Sequence, residues 1–144
     1  MKKFLSVLLL AVSVCMLAAG CSIEVEEENT PDKYSFYYLN TAETTLEREA
    51  YEPKEESADF MVRELMQSIG NRKVPEDGIA LLPEEVILNS YDFQDDVLVI
   101  DFSAQYHEMS RAREVLTRAG IVKTFLQVPD IHRVRFTVEG QELS

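Results

Sequence analysis

The sequence is poor in the residue types that most metal and enzyme sites use. Of its 144 residues, two are cysteine and two are histidine. His107 and His132 are not at the spacing of metal ligands, and the chain has neither a glycine-rich phosphate-binding loop nor a Gly-x-Ser-x-Gly motif. These absences disfavour metal, cofactor and nucleophile chemistry. We therefore expect no cofactor, no metal site and no enzymatic activity.

Basic residues are also scarce. The 14 Lys and Arg residues stand against 26 Asp and Glu, which gives a formal net charge of -12 at pH 7. A nucleic-acid-binding protein needs a basic surface that neutralises phosphates. An anionic bilayer would not attract such an acidic chain either. We therefore exclude nucleic acid as a partner and expect any membrane attachment to depend on a lipid.

The N-terminus carries a positively charged start and an apolar run. Lys2 and Lys3 precede the uncharged residues 4–17, and the sequence Leu-Ala-Ala-Gly-Cys ends at Cys21. This three-part pattern is typical of a lipoprotein signal peptide, here residues 1–20. Cleavage would make Cys21 the first residue, with a diacylglyceryl anchor on its sulfur, at the outer face of the cytoplasmic membrane. The alternatives are an ordinary secreted protein cut nearby and an uncleaved anchor.

Removal of the signal peptide changes both the cysteine content and the charge. Cys15 is discarded with it, so the mature chain has no second cysteine, no intramolecular disulfide and no thiol catalyst. Two lysines and no acids are lost, which changes the net charge from -12 to -14. Residues 21–33 follow as an acidic tether, with four glutamates and a proline. The eleven residues 22–32 would reach roughly 18 Å as a flexible chain. The alternative is an acidic peptide for a basic partner.

The first half of the remaining chain predicts two strands and a helix. Residues 34–40 are aromatic and apolar, which favours a strand, and residues 46–51 are a possible second one. A helix follows Pro53 and ends at Gly70. Its apolar stripe is Ala58, Met61, Val62, Leu65, Met66 and Ile69. We expect residues 71–82 to form a loop.

The second half predicts a hairpin, a helix and a strand. Residues 86–93 and 97–102 form the hairpin, and Leu98, Ile100 and Phe102 are expected to face the helices. Ser110 can cap a helix whose predicted core stripe is Ala112, Val115, Ala119, Val122 and Leu126. The closing strand presents Val134, Phe136 and Val138 on one face and Arg133, Arg135 and Thr137 on the other.

Together these elements predict one α+β domain over residues 34–144. It is a two-layer sandwich with an αββαβ core, preceded by one or two N-terminal strands, and with two helices packed on one face of a mixed sheet.

Five short motifs in this order resemble the GerMN domain, the sporulation and spore germination domain of bacterial surface lipoproteins. They are Leu39-Asn40, Leu82-Pro83, Asp101-Phe102-Ser103, the segment Ile121 to Phe125 that includes Thr124, and Val138 to Gly140. The resemblance covers about residues 34–143. It implies no catalytic residue and a core similar to the ring-building motif. It further implies a Gram-positive type of envelope, with envelope or septal proteins, including other GerMN or ring-building domains, as partners.

Two other functions remain open from the residues. Asp101 lies at a strand end beside Asp95 and Asp96 and could serve a cell-wall hydrolase as an acid or base. Its structural interpretation is a carboxylate that binds nearby backbone amides. Alternatively, Tyr34, Tyr37 and Tyr38 could stack on a cell-wall fragment or another small ligand, although aromatic crowding of this kind is also typical of sheet packing.

Charge is divided unevenly along the chain. Residues 21–110 contain six basic and 22 acidic residues, a balance of 6 - 22 = -16, whereas residues 111–138 contain six basic and two acidic residues, a balance of +4. We predict an interaction face made of Arg111, Arg113, Arg118, Arg133 and Arg135. It would meet the acidic surface of another copy or of a partner with a related fold, head to tail. The alternative is that Arg111, Glu114 and Arg118 form ordinary helix-surface pairs.

Overall fold

The computed structural model describes residues 32–143. The predicted signal peptide, Cys21 and all but the end of the tether lie outside this part of the chain. The strands are β1 (Ser35–Asn40), β2 (Leu46–Ala50), β3 (Gly78–Ile79), β4 (Leu88–Gln94), β5 (Val97–Phe102), β6 (Arg133–Val138) and β7 (Gln141–Glu142). The helices are α1 (Ala58–Gly70) and α2 (Arg111–Phe125), with a short 3-10 helix at Ala104–Glu108.

The N-terminal strands form a small antiparallel sheet of their own. Its order is β2-β1-β3, so β1 lies in the middle. β2 pairs with β1 along its whole length, from Leu46 opposite Leu39 to Ala50 opposite Ser35. β3 pairs only with the last two residues of β1, Leu39 and Asn40. β3 lies in the segment predicted as a loop, and that prediction is therefore wrong at Gly78–Ile79. Two residues are too short for an alternating pattern to be detected in the sequence.

The second sheet has four strands in the order β4-β5-β6-β7. β4 and β5 form the predicted hairpin, which contains an irregularity between Leu88 and Ser90. β6 runs parallel to β5, with Val97 opposite Arg133, because α2 crosses over between them. β7 returns antiparallel at the edge. The α+β class, the αββαβ order and the mixed sheet are thus confirmed.

One hydrophobic core joins the two sheets and the two helices. The inner face of the four-stranded sheet contributes Leu98, Ile100 and Phe102, all fully buried as predicted, together with Phe136. α1 contributes Met61, Val62, Leu65, Met66 and Ile69, which confirms the predicted stripe apart from Ala58, which is only half-buried. Among residues 32–143, no helix is long and apolar enough to cross a membrane.

Helix α2 begins as predicted but buries a different face. The Ser110 hydroxyl accepts a hydrogen bond from the Arg113 backbone N–H at 3.2 Å, which caps the helix. The buried residues are Thr117, Gly120, Ile121, Thr124 and Phe125. The predicted core stripe is wrong at Ala112, which is exposed, at Val115, which is 60% exposed, and at Leu126, which is 46% exposed, whereas Val122 is partly buried against the core. The two stripes lie on opposite sides of the helix, since residues five apart are about half a turn out of phase at 3.6 residues per turn.

Close approach to the three-stranded sheet explains this orientation. A Cβ atom on Gly120 would lie 2.4 Å from Leu81 Cδ2 and 3.1 Å from Leu46 Cδ2, so a larger residue at this position would force the buried Leu81 side chain to move. The Thr117 hydroxyl donates to the Leu81 carbonyl oxygen at 2.7 Å. The buried side of α2 therefore has three small or hydrogen-bonding residues, Thr117, Gly120 and Thr124, beside Ile121 and Phe125, and a search for large apolar residues alone does not detect it.

Candidate functional site

Asp101 is fully engaged in holding a turn. Its Oδ1 accepts hydrogen bonds from the Thr137 hydroxyl at 2.5 Å and the Gly140 backbone N–H at 2.8 Å. Its Oδ2 accepts one from Asn89 Nδ2 at 3.0 Å. Gly140 has φ +74° in the β6–β7 turn, a conformation that favours glycine. The carboxylate thus joins the end of β5 to that turn and to the irregular start of β4.

The electrostatics of Asp101 do not suit a general acid. The hydrogen bond from Thr137 is the largest of the effects that lower the pKa of this carboxyl below its ordinary value of 3.8, and the Gly140 and Asn89 bonds add to it against the cost of burial. A glycosidase acid needs a raised pKa. Asp96, another candidate, is engaged by Arg133, whose hydrogen bond also lowers the carboxyl pKa. Both carboxylates are held ionised, which is the opposite of what an acid catalyst requires.

Ser103 and Phe102, which follow Asp101, are also structural. The Ser103 hydroxyl accepts a hydrogen bond from the Ile87 N–H at 3.0 Å, and the Ser103 N–H donates to the Ile87 carbonyl at 2.9 Å. Phe102 is fully buried and stacks on Tyr106, with ring centroids 5.0 Å apart. The Asp-Phe-Ser motif therefore anchors the hairpin and the core.

The Leu82-Pro83 motif is fixed by an arginine that the sequence analysis did not single out. Arg72 donates hydrogen bonds to the carbonyl oxygens of Pro83, Glu84 and Val86, at 2.8–2.9 Å from its Nη2. Leu82 itself is buried. One guanidinium therefore holds the segment before β4 through three hydrogen bonds. The backbone of Arg72 adopts φ +53°. A lone arginine in a predicted loop gives no sequence signal for this role.

Thr124 and Gln127 close the open edge of β1. The Tyr37 N–H donates to the Thr124 hydroxyl at 3.2 Å. The Ser35 N–H donates to Gln127 Oε1, and Gln127 Nε2 donates to the Ser35 carbonyl, each at 2.8 Å. The side-chain amide therefore makes the paired hydrogen bonds that a neighbouring strand would make, so this part of β1 cannot accept another strand.

The five arginines predicted as one interaction face do not lie together. Arg113 has only 11% of its side chain exposed, pairs with Glu43 and donates to the Ala80 and Leu81 carbonyls, so it holds α2 against the loop after β3. Arg118 pairs with Glu114, as in the ordinary helix-surface alternative, and lies 5.3 Å from the centre of the Phe136 ring on the core side of the sheet.

Arg133 and Arg135 lie on the opposite face of the same sheet. They neighbour Val97 and Val99 of β5, away from the helices. Arg133 binds Asp96 at 2.6 Å, and Arg135 lies 3.5 Å from Glu142. Because each has an acidic partner, this face is a mixed-charge surface and not a free cationic one.

A different surface on α2 combines exposed apolar residues with free cations. We define the outer face of α2 as the apolar residues Ala112, Val115, Ala119 and Leu126, flanked by Arg111 and Lys123. Within residues 32–143, the salt bridges involve neither Arg111 nor Lys123. Lys123 lies 5.4 Å from the centre of the Tyr37 ring. The sequence analysis had assigned this apolar stripe to the core.

The remaining candidate sites offer little for ligand binding. Tyr34 and Tyr38 are each 7% exposed and belong to the core, which leaves Tyr37 as the accessible member of the predicted stacking surface. Among residues 32–143, no group of three or more His, Cys, Asp or Glu side chains could hold a metal ion.

One open cleft of about 570 Å³ lies between β3, the Leu82-Pro83 segment and the start of α2. Arg72 and Arg113 line it, but both are occupied by backbone carbonyls, and Glu43 and Glu84 line it too. Asp101, the proposed acid of the hydrolase interpretation, does not line this cleft.

Comparison with known proteins identifies the family. The chain resembles the first GerMN domain of the sporulation protein GerM from Bacillus subtilis, with 17% identity, a TM-score of 0.56, and coverage of 76% of this chain and 84% of that one. The tandem GerMN domains of that protein match with the same identity and TM-score, and this chain spans only 40% of them. No curated protein sequence matches significantly. A model of the Germane family, described as sporulation and spore germination, matches residues 35–144. The chain belongs to the Germane family.

Proposed function

We propose that this protein is a lipid-anchored, extracytoplasmic module of the bacterial envelope that acts by binding other envelope proteins, in a role linked to sporulation or germination. The observation that carries the proposal is the outer face of α2, where Val115 is 60% exposed and Leu126 46% exposed among free cations. Exposed apolar residues with a polar rim are typical of protein-binding surfaces. The N-terminal sequence supports the anchor, with Cys21 as the lipidated residue and the outer face of the cytoplasmic membrane as the location.

The family membership supports the biological setting. Two solved structures that share the fold contain domains of a sporulation protein. Envelope or septal proteins, including other GerMN or ring-building domains, are the partners we propose. A non-enzymatic role agrees with the hydrogen bonds that the Asp101, Ser103 and Thr124 side chains accept from backbone N–H groups.

Crosslinking in intact cells tests this function. The anchored protein is treated with a short amine-reactive crosslinker, and captured proteins are identified by mass spectrometry. We expect particular envelope proteins to be recovered, and to be lost from a Cys21→Ser form that is not held at the membrane. Recovery of the same set with Cys21→Ser, or of no envelope protein, would contradict the proposal.

Charge reversals then locate the surface. Arg111→Glu with Lys123→Glu changes the outer face of α2, and Arg133→Glu with Arg135→Glu changes the outer face of the four-stranded sheet. Arg63→Glu with Lys54→Glu, at exposed positions in and just before α1, is the matched control for a change of charge alone, because it also reverses two cations. We expect the α2 pair to reduce capture strongly and the sheet pair to act weakly, because Arg133 and Arg135 are already paired with acids.

The second candidate function is binding of a cell-wall fragment or other small ligand, and the observation that favours it is the 570 Å³ cleft. Its size lies within the range of about 300–1,000 Å³ for ligand sites. Recovery of wall material alone in the crosslinking experiment would favour it. A cell-wall hydrolase that uses Asp101 is the third candidate function.

An Asp101→Ala variant tests the structural role of this carboxylate. We expect it to lower the free energy of unfolding by about 1–3 kcal/mol, since the Thr137 hydroxyl and Gly140 N–H lose their acceptor. The depressed pKa means that the contribution of the charged carboxylate is present above pH 3.8 and is lost as pH falls through the lower folded-state pKa. Urea unfolding at pH 7 and pH 3 should therefore show a smaller difference between variant and wild type at pH 3.

A further inference from the structure

Four large apolar side chains are exposed in the described part of the chain, and they fall into two groups. Val115 and Leu126 lie on the outer face of α2, whereas Ile87 and Tyr91 lie just before and within β4. Ile87 is 60% exposed, as is Val115. Since isolated exposed apolar residues are ordinary, the surroundings of the two groups decide their meaning.

The surroundings of the two groups carry opposite charge. The outer face of α2 is flanked by Arg111 and Lys123, while Ile87 follows closely after the exposed Glu84 and Glu85. Val86, which precedes Ile87 in the chain, lines a hollow of about 300 Å³ together with Pro83, Glu85, Gln105, Glu108 and Met109. Val86 is buried and forms an apolar floor with Pro83 and Met109, while Glu85 and Glu108 are exposed at the rim. We call this the acidic hollow.

We propose that the outer face of α2 in one copy docks onto the acidic hollow of a second copy of this chain. The cations of α2 would meet Glu85 and Glu108, and an apolar side chain of α2 would cover the apolar floor of the hollow. Complementary charge of this kind favours association and suppresses the wrong pairing. The contact is heterologous, because two different surfaces meet, and it can therefore repeat along a row of copies.

The charges also disfavour the simplest alternative. Two α2 outer faces packed on each other about a twofold axis would bring Arg111 and Lys123 of both copies together. Like charges across an interface are costly. The head-to-tail arrangement avoids this repulsion and covers part of the exposed apolar surface of α2. This proposal names one partner for the proposed function, and it rests on that function for the membrane setting. Anchoring of all copies in one membrane raises their effective concentration.

Cysteine crosslinking of the full chain in its membrane provides the test. After removal of the signal peptide, Cys21 is the only cysteine and its sulfur would be lipidated, so introduced thiols have no competitor. Differently tagged Val115→Cys and Gln105→Cys chains are co-expressed and mildly oxidised. We expect a mixed dimer, no dimer from either variant alone, and a ladder when both changes are in one chain. Glu47→Cys on β2 replaces Gln105→Cys as the control and should give no product with Val115→Cys.

Charge exchange sharpens the result. Arg111→Glu with Lys123→Glu, or Glu85→Lys with Glu108→Lys, should each reduce the ladder at least about tenfold in otherwise matched double-cysteine chains. Co-expression of the two charge variants should restore mixed products, because each reversed face then meets a complementary one. Higher salt should reduce the wild-type ladder.

Three outcomes would overturn the proposal. They are a dimer of Val115→Cys with itself, no mixed dimer in well-expressed chains, and a ladder that is indifferent to charge reversal. Loss of self-contact together with capture of other envelope proteins would refute this proposal and leave the proposed function intact. Contact between copies without capture of any other envelope protein would support this proposal and contradict the proposed function.

Discussion

The two helices of this domain use different chemistry on their buried sides. α1 buries Met61, Val62, Leu65, Met66 and Ile69, which are all large and apolar. α2 buries Thr117, Gly120 and Thr124 together with Ile121 and Phe125. α1 is held by burial of apolar surface, whereas α2 combines burial of Ile121 and Phe125 with close approach and with hydrogen bonds to the backbones of β1 and the loop after β3. Because close approach and hydrogen bonds supply part of its attachment, α2 can leave Val115 and Leu126 exposed on its other side, where they are available to a partner.

The largest expected effect comes from truncation of the α1 stripe. Leu65→Ala removes a side chain that is 2% exposed, and we expect the free energy of unfolding to fall by about 2–5 kcal/mol because a cavity remains. Urea denaturation followed by circular dichroism measures it. A loss below about 1 kcal/mol would mean that α1 does not depend on apolar burial.

A bulkier residue in the narrow gap should break the packing of α2. Gly120→Val would place Cβ 2.4 Å from Leu81 Cδ2, and we expect a loss of about 1–3 kcal/mol or more from overpacking. The matched control is Gly70→Ala at the end of α1, where nothing lies within 4 Å of the added Cβ. The control should be neutral or stabilise by up to about 1 kcal/mol. Equal losses of unfolding free energy at both glycines would contradict the close approach of α2 to Leu81 and Leu46.

Loss of one hydroxyl should expose the role of hydrogen bonding in α2. Thr124→Val keeps the shape of the side chain but leaves the Tyr37 N–H without its acceptor, which should cost about 1–3 kcal/mol. Hydrogen exchange at the Tyr37 amide should accelerate more than at other β1 amides. Thr41→Val, at an exposed position directly after β1, serves as control. Unchanged exchange at Tyr37 would show that the edge of β1 is protected in another way.

The smallest effect is expected on the free side of α2. Val115→Ala should change the free energy of unfolding by less than about 0.5 kcal/mol, since the side chain is 60% exposed. Urea denaturation alongside Leu65→Ala gives the contrast directly. A loss comparable with that of Leu65→Ala would mean that Val115 is covered in the native protein, and its dependence on protein concentration would then show whether a second copy covers it.

Much of this fold follows from local sequence patterns. α1, the hairpin of β4 and β5, and the Ser110 cap were predictable because periodicity, alternation and capping are local signals. The orientation of α2 was not, since both of its sides contain a helical stripe, and the decisive contacts of Gly120 and Thr117 are with Leu46 and Leu81, far away in the sequence. The candidate site also depends on contacts between residues that are far apart in the sequence. Arg113 could be named as a cation, but its carbonyl partner Leu81 precedes it by 32 residues.

The pairing of Gln127 with Ser35 has a consequence for the order of assembly. The two residues are 92 positions apart, and they secure the start of the first strand. A ribosome makes β1 first, yet the partner that completes its edge is made almost last. Contacts of such high separation are slow to form because most of the chain must be ordered before they close. The earliest strand to be synthesised should therefore be among the last to become protected, and a chain cut short before Gln127 should leave that edge open to aggregation.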